Sequence, residues 1–465
     1  MKKNSMRHQL DQILGPENVS DADVDRYCYS GAPPSRLPRL LGKMVPKILP
    51  DLIVWPGSKE QVVELVKLAN KSRTPLIPWG GGRGGCGGVI PVKRDSIVVD
   101  TRKMDKVLEV SEEGAFVTAQ SGAYPENIDS KILPKGFFLP HDPASYWSST
   151  IGGFLSTASA GWLAPKYGYI GDMVLSLEVV LPNGEVLRTR RAMKSSAGPN
   201  WNWLFVGAGG TLGVITEATL KIHPIPEERR IRILRFDDVH SAFRVAFDLA
   251  RKNLNHCMLR VSDPDHARGL ASVLGAPDPK GAWLIYGFDG PSELVEAQDR
   301  LALKTVSDGG GEDIGTEVGR TWWKKRYDYF YGKRPEYRTK AQDVLTTATT
   351  FDRIDRIYDG LKEIFRKHES NSAIHLTHIL PKGAAMYCIF EFPYSEEGLK
   401  LNQRIWDDGI KFVHSQGATM EHHHEIGLKL AKYMGEELGY GMEVFRMIKK
   451  TLDPNNIMNP GKLGL

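Results

Sequence analysis

Apolar residues in QVVELVKLANKS recur three and four positions apart, which predicts an amphipathic helix ending at Lys71–Ser72. Two apolar, strand-like pieces follow, PLIP and VIP, with a glycine run from Gly80 to Gly88 between them. Downstream, IVVDTRKM, KVLEVSEEGAFVTAQSGA, MVLSLEVVLPNGEVLRTR and TLGVITEATLKIHPIP alternate and are rich in β-branched residues, which predicts strands. Asn183-Gly184, between LEVVLP and EVLRTR, is a hairpin-turn signal. Pro224 and Pro226 close this half.

Past residue 231 strands and helices alternate. RIRILRF, MLRVSD, AWLIYGFDG, AIHLTHIL and AAMYCIFEFP predict strands. HSAFRVAFDLARKN, SELVEAQDRLALKTVSDGG, DRIDRIYDGLKEIFRKHES and EEGLKLNQRIWDDGIKFVHSQG carry helical spacing. The texture is that of an α+β domain, an antiparallel sheet backed by helices. Two short helices are expected after residue 426, before the closing LDPNNIMNPGKLGL. No fixed-period repeat occurs, which excludes solenoids and propellers.

A length of 465 residues fits two or three domains, and 41% hydrophobic with 25% charged residues fits an ordinary globular enzyme. The net charge of +5 is mild; it suits an acidic small molecule and gives no case for nucleic acid. Cys28, Cys86, Cys257 and Cys388 lie apart with no CxxC spacing. That argues against an iron–sulfur cluster, a zinc ribbon or a disulfide framework and fits a reducing cytoplasm. The N-terminal MKKNSMRHQLDQILG lacks a signal peptide's apolar core, and no window of about 18 apolar residues could span a membrane. The basic, apolar segment RLPRLLGKMVPKIL at 36–49 could rest on a lipid surface, but Pro38 and Pro46 interrupt any long helix. A packed N-terminal arm is the competing reading. A cytoplasmic homodimer is expected, with peripheral membrane contact left open.

Seven of the nine residues from Gly80 to Gly88 are glycine. Backbone without Cβ atoms can bring N–H groups close to an anion. The run is not a P-loop, because no Gly-Lys-Ser/Thr closes it. It is also a poor dinucleotide fingerprint, since a helix precedes it and the strand-like SIVVDTRKM follows. A surface linker is the alternative, but linkers are rich in Ser and charge, whereas apolar strands frame this run. Three more glycine-rich segments occur in the same half: STIGGFLSTASAGW at 149–162, KYGYIGD at 166–172 and VGAGGTLGVITEA at 206–218. Together they imply one extended ligand touched by backbone at several places, as a dinucleotide with a large planar ring would be.

The order PWGGGRGG, then DP…STIGG…STASAG…YG, then GAGGTLGVITEATLKIHP, resembles the FAD-binding domain of vanillyl-alcohol-oxidase flavoproteins, the PCMH type. The triple histidine and the closing DPNNIMNPGKL resemble the same family's FAD-linked oxidase C-terminal half, and the likeness covers residues 48–465. It implies a two-domain α+β fold: an N-terminal arm at 1–47, a PCMH-type FAD-binding domain at 48–225, an antiparallel-sheet substrate or cap domain at 226–415, and a segment at 416–465 that returns to the flavin. The isoalloxazine is expected at the domain interface. FAD contacts are implied at Pro78, Trp79, Gly80, Gly81, Gly82, Arg83 and Gly84; at Asp142 and Pro143; at Ser149, Thr150, Gly152, Gly153, Thr157 and Ser159; and at Gly209, Gly210, Thr211, Gly213, Val214 and Ile215. Relatives that attach flavin covalently usually do so through a histidine in this loop. None lies between 75 and 91, so non-covalent FAD is expected, although Cys86 sits there.

Two branches of the family lie near. The D-lactate, glycolate and D-2-hydroxyglutarate dehydrogenases are marked by HxGDGNxH and GEHGIG, which help hold a divalent metal. The other branch is alkyldihydroxyacetonephosphate synthase. This chain has HLTHILPKGAAMYCIF and EHHHEIG instead. His424 falls on the dehydrogenases' histidine and His423 on their glutamate, while the triplet is similar to the synthase's HHHGVG. Tyr387, 35 residues before His422, falls on the synthase's active-site tyrosine. The departures are Glu425 for the glycine after the histidines, Arg83 for a common threonine, and Ala208-Gly209 for Ser-Glu or Gly-Glu.

His422, His423 and His424 are consecutive and cannot share one face of a helix or strand, so at most two neighbours converge. His423 and His424 are assigned to the site, with His422 in support. A neutral imidazole there can take a hydroxyl proton while the adjacent C–H leaves as hydride to flavin N5. An exposed polar loop is the alternative, though Gly417 and Gly427 bracket the triplet. His375 and His378 point to opposite faces if their strand is regular, so only one faces the flavin. They are weak metal candidates with His423 and His424, or a hydrogen-bonded core pair, and no metal is assigned. Tyr387 by spacing alone is strand packing; the resemblance makes it a phenol that orients substrate or steadies an oxyanion. In related enzymes an arginine in the region of WWKKRYDYFYGKRPEYRTK grips the substrate's carboxylate or phosphate. Arg338 comes before Arg326 and Arg334, because it leads into QDVLTTATTFDRI.

The first reading is an FAD-dependent oxidoreductase, a dehydrogenase or oxidase acting on CH–OH groups. It takes hydride from a 2-hydroxy acid or alcohol bearing a carboxylate or phosphate and passes electrons to a separate acceptor: an electron-transfer flavoprotein, a quinone or oxygen. The second is a non-redox flavoenzyme like the synthase. The third is a flavin-binding subunit of a larger complex.

Overall fold

A computed structural model describes residues 3–31, 48–328 and 340–465. They form two compact units. The first takes the described residues of 1–160, 169–224 and 423–465; the second takes those of 161–168 and 225–422.

The first unit holds two main sheets. In one, strands Leu52–Val54, Ile97–Asp100 and Leu76–Trp79 run parallel, with the short strand Val19–Ser20 antiparallel at the edge. The helix Lys59–Ser72 starts where Ser58 accepts the N–H of Gln61 and stops at Arg73, whose φ is 55°. Its buried face is Val62, Leu65, Val66 and Ala69, the helical spacing seen in the sequence. The core it joins also takes Met6, Leu10 and Leu14 from a helix at Lys3–Leu14, and Ile457 and Met458 from the far end of the chain. Leu76 N–H donates to Ile457 O at 2.7 Å, and Asn459 N–H donates to Leu76 O at 2.8 Å, so the closing segment lies along the strand that leads into the glycine run.

The other sheet is antiparallel, in the order Val107–Ser111, Phe116–Gln120, Val214–Lys221, Val174–Val180, Val186–Arg188. Its last two strands make the expected hairpin: Gly184 sits at φ 85° and Val180 pairs with Val186. The 36–49 segment lies almost entirely outside the described residues, and no described helix is long and apolar enough to cross a membrane.

The second unit is built on a seven-stranded antiparallel sheet. Its order is Glu312–Asp313, Glu228–Phe236, Ala282–Gly290, Met258–Ser262, Ser372–Leu380, Gly383–Pro393, Lys340–Thr349. The helices Val239–Arg251 and Phe351–Lys367 pack on it, the latter through Phe351, Ile354, Ile357, Tyr358, Leu361 and Phe365. The edge strand Lys340–Thr349 was not expected from the sequence, because Lys340, Gln342 and Asp343 break the apolar alternation. It nonetheless pairs along its full length, from Lys340 opposite Pro393 to Thr349 opposite Ala384. Helices Pro264–Leu274 and Thr316–Lys325 were also unforeseen. Residues 161–168 join this unit because Lys166 and Tyr167 donate to Asp289 Oδ1 at 2.7 and 2.9 Å.

A buried carboxylate organises one end of the sheet. Asp299 accepts from Arg232, Arg230 and the Tyr286 hydroxyl at 2.7, 3.1 and 2.8 Å. Burial pushes its carboxyl up, but the hydrogen bonds from Arg232 and Tyr286 outweigh this and hold it below the usual range. The stability it supplies is therefore present above the ordinary carboxylate range and is lost only as pH falls through the lowered value. Asp299→Ala removes the carboxylate that Arg230 and Arg232 share, although Glu228 and Asp313 still pair with them, and should cost about 2 kcal/mol in urea unfolding at neutral pH. The cost should shrink in acid as the wild-type carboxyl takes up its proton.

Candidate functional site

In the first unit the glycine segments meet. Strand Leu76–Trp79 delivers Gly80 and Gly81 against residues 148–153: a Cβ on Gly80 would strike Thr150 Oγ1, and one on Gly81 would strike Ser148 O and lie 2.9 Å from Ser149 Cα. Thr150 caps the short helix Ile151–Ser156 through Gly153 N–H. The segment at 206–218 closes on the one at 149–162, with Gly207 N–H donating to Leu155 O and Gly209 N–H to Ser156 O, at 2.9 and 2.8 Å. A Cβ on Gly210 would lie 3.0 Å from the ring of Pro78. Pro78, Gly80–Gly82, Ser149–Gly153, Thr157 and Gly209–Gly210 are thus brought together. Beside them, His141 is fully buried next to Asp142-Pro143, packs edge-on to Phe154 and lies 3.1 Å from Ser159 Oγ. Burial pulls its imidazole down to about 3, so it is neutral at ordinary pH.

Some implied cofactor residues have other work. Trp79 is packed in an apolar cluster with Tyr29, Ile53, Ile77 and Val98. The Thr211 hydroxyl donates to Ala208 O, while its carbonyl receives the ammonium of buried Lys449 at 2.8 Å. Val214 lies in the core, and Val214 and Ile215 pair with Val180 and Val179.

The C-terminal segment binds two of the glycine loops. Asn459 is 1% exposed and its side-chain amide donates to Gly88 O at 2.9 Å and Gly209 O at 2.7 Å. Gly88 N–H and Cys86 N–H donate to Glu425 Oε1 at 3.0 and 3.3 Å. His423 and His424, just before Glu425, hold their rings 4.1 Å apart.

The second unit carries a separate polar group. His375 and Tyr387 are direct cross-strand partners with rings stacked 4.7 Å apart, and His375 touches His266 at 4.4 Å. His266 accepts from the Arg260 guanidinium at 3.2 Å, which places its own proton on Nδ1, 3.1 Å from Ser262 Oγ. Burial, helped by the Arg260 charge, pulls His266 well below its ordinary pKa. Arg260 is 4% exposed and lies 5.1 Å over the Trp162 ring. His378 departs from the regular strand expected of it: its φ is 47°, where the pairing slips between Thr377 and Leu380, and its ring lies 5.1 Å from His422. His422 N–H is held by Glu421 at 2.8 Å and by Thr346 at 3.4 Å.

Among the described residues no group of three or more His, Cys, Asp or Glu is placed to hold a metal. Arg334 and Arg338 lie outside the described residues, and Arg326 stacks 3.9 Å over Trp323 and donates to its carbonyl. A cleft lined by Arg229, Arg230, Arg232 and Arg320 also lies in this unit, but Asp289, Asp299, Asp313 and Glu317 pair with these arginines.

A family model for the FAD binding domain matches residues 50–190, and one for the C-terminal domain of FAD linked oxidases matches residues 225–463. The chain belongs to the FAD-linked oxidases. This FAD-linked oxidase is 30% identical to the alkyldihydroxyacetonephosphate synthase of Dictyostelium discoideum, over 90% of this chain and 74% of that one. It is equally 30% identical to a mitochondrial D-lactate dehydrogenase (cytochrome) of Arabidopsis thaliana, over 98% of this chain and 79% of the relative. A solved alkyldihydroxyacetonephosphate synthase superposes with a TM-score of 0.83 at 26% identity, covering 98% of this chain and 84% of that one. The p-cresol methylhydroxylase structure, at 17% identity and a TM-score of 0.82, shares the fold.

FAD is the cofactor of this family, and the first unit suits it. Its glycines leave bare backbone where a Cβ would clash, and two buried polar atoms there, Ser121 Oγ and His141 Nδ1, have no hydrogen-bond partner among the described residues. Sequence reasoning missed His141, although it directly precedes the Asp-Pro pair. It also missed Arg260, which looks like an ordinary strand residue in MLRVSD.

Lys462, from the same closing segment, is 1% exposed. Burial pulls its ammonium down to about 8 from 10.5, against the opposing pull of Glu425. Between those values the unfolded chain holds more protons than the folded one, so stability should rise with pH. Denaturant unfolding at pH 8 and pH 10 should show a rise of up to about 1.4 kcal/mol per pH unit that Lys462→Met lacks.

Proposed function

We propose that this flavoprotein oxidises a 2-hydroxy acid, or an alcohol bearing another anionic group, whose anion is held by Arg260. The observation that carries the reading is the buried guanidinium itself. Arg260 lies beneath Trp162, whose indole N–H is buried without a hydrogen-bond partner among the described residues, and beside a neutral His266. A buried guanidinium with the Trp162 indole N–H beside it presents donors in a fixed fork, and that geometry matches a carboxylate or phosphate. The relatives named for D-lactate and glycolate support a hydroxy acid.

Bound FAD, held without a covalent link, supplies a two-electron acceptor. The chain's own residues would do the rest. Arg260 fixes the substrate by a bidentate pair, and Tyr387, kept in orientation by its stack on His375, contacts the substrate oxygen. His424, with His423 packed against it, takes the hydroxyl proton, and His422 stays in support against His378. Electrons then leave to a separate acceptor.

The second reading is chemistry like that of alkyldihydroxyacetonephosphate synthase. The triple histidine and the whole-chain superposition on a solved synthase favour it, and Arg260 would then hold a phosphate. Anaerobic mixing separates the two. Flavin absorbance should bleach with a hydroxy acid, and Arg260→Met should raise KM about 100-fold while His424→Ala lowers kcat about 100-fold or more. Bleaching by no hydroxy acid or alcohol, with a spectral shift on adding an acyl-dihydroxyacetone phosphate, would replace the first reading by the second.

A further inference from the structure

Glu425 has φ 71°, a left-handed backbone conformation that favours glycine, and its side chain makes an interaction that glycine could not. That interaction is with the second half of the glycine loop. The carboxylate accepts from Gly88 N–H and Cys86 N–H, and a Cβ on either Gly84 or Gly88 would lie 2.8 Å from Glu425 Cδ. These two glycines make room for an anion that belongs to the chain itself. The contact runs in both directions, because Cys86 O accepts from Leu428 N–H and Lys429 N–H at 2.8 and 3.0 Å. By contrast, Gly80 and Gly81 are shaped against residues 148–153.

We propose that Glu425 is a latch that closes residues 84–88 onto the histidine turn, leaves Gly80–Gly82 for the cofactor, and thereby holds His424 in place. It is a positioning residue. The carboxylate satisfies N–H groups that a ligand would otherwise have to reach, and its own backbone is the next link after His424.

Thiol alkylation of the full chain, read by peptide mass spectrometry, tests the latch with an internal control. Cys86 is 6% exposed, whereas Cys257 and Cys388 are fully buried. Opening of the loop uncovers Cys86 alone; general unfolding uncovers all three. Glu425→Gln keeps one acceptor oxygen without the charge, and Glu425→Gly relieves the backbone but removes both hydrogen bonds. In apo and FAD-loaded protein alike, N-ethylmaleimide should modify Cys86 about 10- to 100-fold faster in Glu425→Gly and less so in Glu425→Gln. Cys257 and Cys388 should stay protected, carbethoxylation of His424 should rise with Cys86, and FAD should dissociate about tenfold faster. Unchanged Cys86 reactivity in both variants overturns the latch. So does a rise at all three cysteines together, which would make Glu425 a support of the whole fold. If Glu425→Gly does not fold, Glu425→Gln decides alone. Failure of wild-type protein to bind FAD would instead strike the cofactor assignment, because the cysteine readout needs no cofactor.

Discussion

Glycine loops can receive a large ligand only if something else satisfies and restrains their backbone, and in this chain much of that restraint comes from its last forty-odd residues. Asn459 bridges Gly88 O and Gly209 O with one amide, Glu425 takes two N–H groups, and Lys449 takes the carbonyl of Thr211. Each contact joins the C-terminal segment to a loop hundreds of residues away. A glycine-rich loop needs such restraint, because its conformational entropy is high and its polar groups lie on the backbone. The closing segment is therefore part of what shapes the glycine loops.

The second unit poses the opposite physical problem. Its sheet buries polar side chains rather than bare backbone: Arg260, His266 and His375 stand in a row with Tyr387, and burial keeps His266 uncharged. The same unit also buries carboxylates in ion pairs, Asp299 with Arg230 and Arg232 and Asp289 with Arg229 and Lys166. Arg260 lies over the Trp162 ring and donates to His266.

Much of this was legible in the sequence, for physical reasons that differ by region. The helix Lys59–Ser72, the Asn183-Gly184 hairpin and the strands of both halves follow local periodicity and turn chemistry, which sequence reports directly. The glycine runs announced a cofactor, and their order announced FAD. The edge strand Lys340–Thr349 escaped because its partner strand, not its own alternation, makes it a strand. His378 was expected on a regular strand, and only the slip after Thr377 reveals its turn toward His422. Arg260 and Glu425 were least legible. One became notable by burial and the other by a partner 337 residues away, and neither property is local.

Asn459, one side chain from the closing segment, ties two glycine loops together. Hydrogen exchange of Asn459→Leu against wild type, with FAD affinity measured on the same samples, tests this bridge. Amides of 80–88 and of 207–213 should lose protection together, and FAD should bind about tenfold or more weakly, while the seven-stranded sheet of the second unit keeps its protection. Loss of protection in only one loop, or in neither with FAD bound as before, would mean that Asn459 does not tie the two loops together.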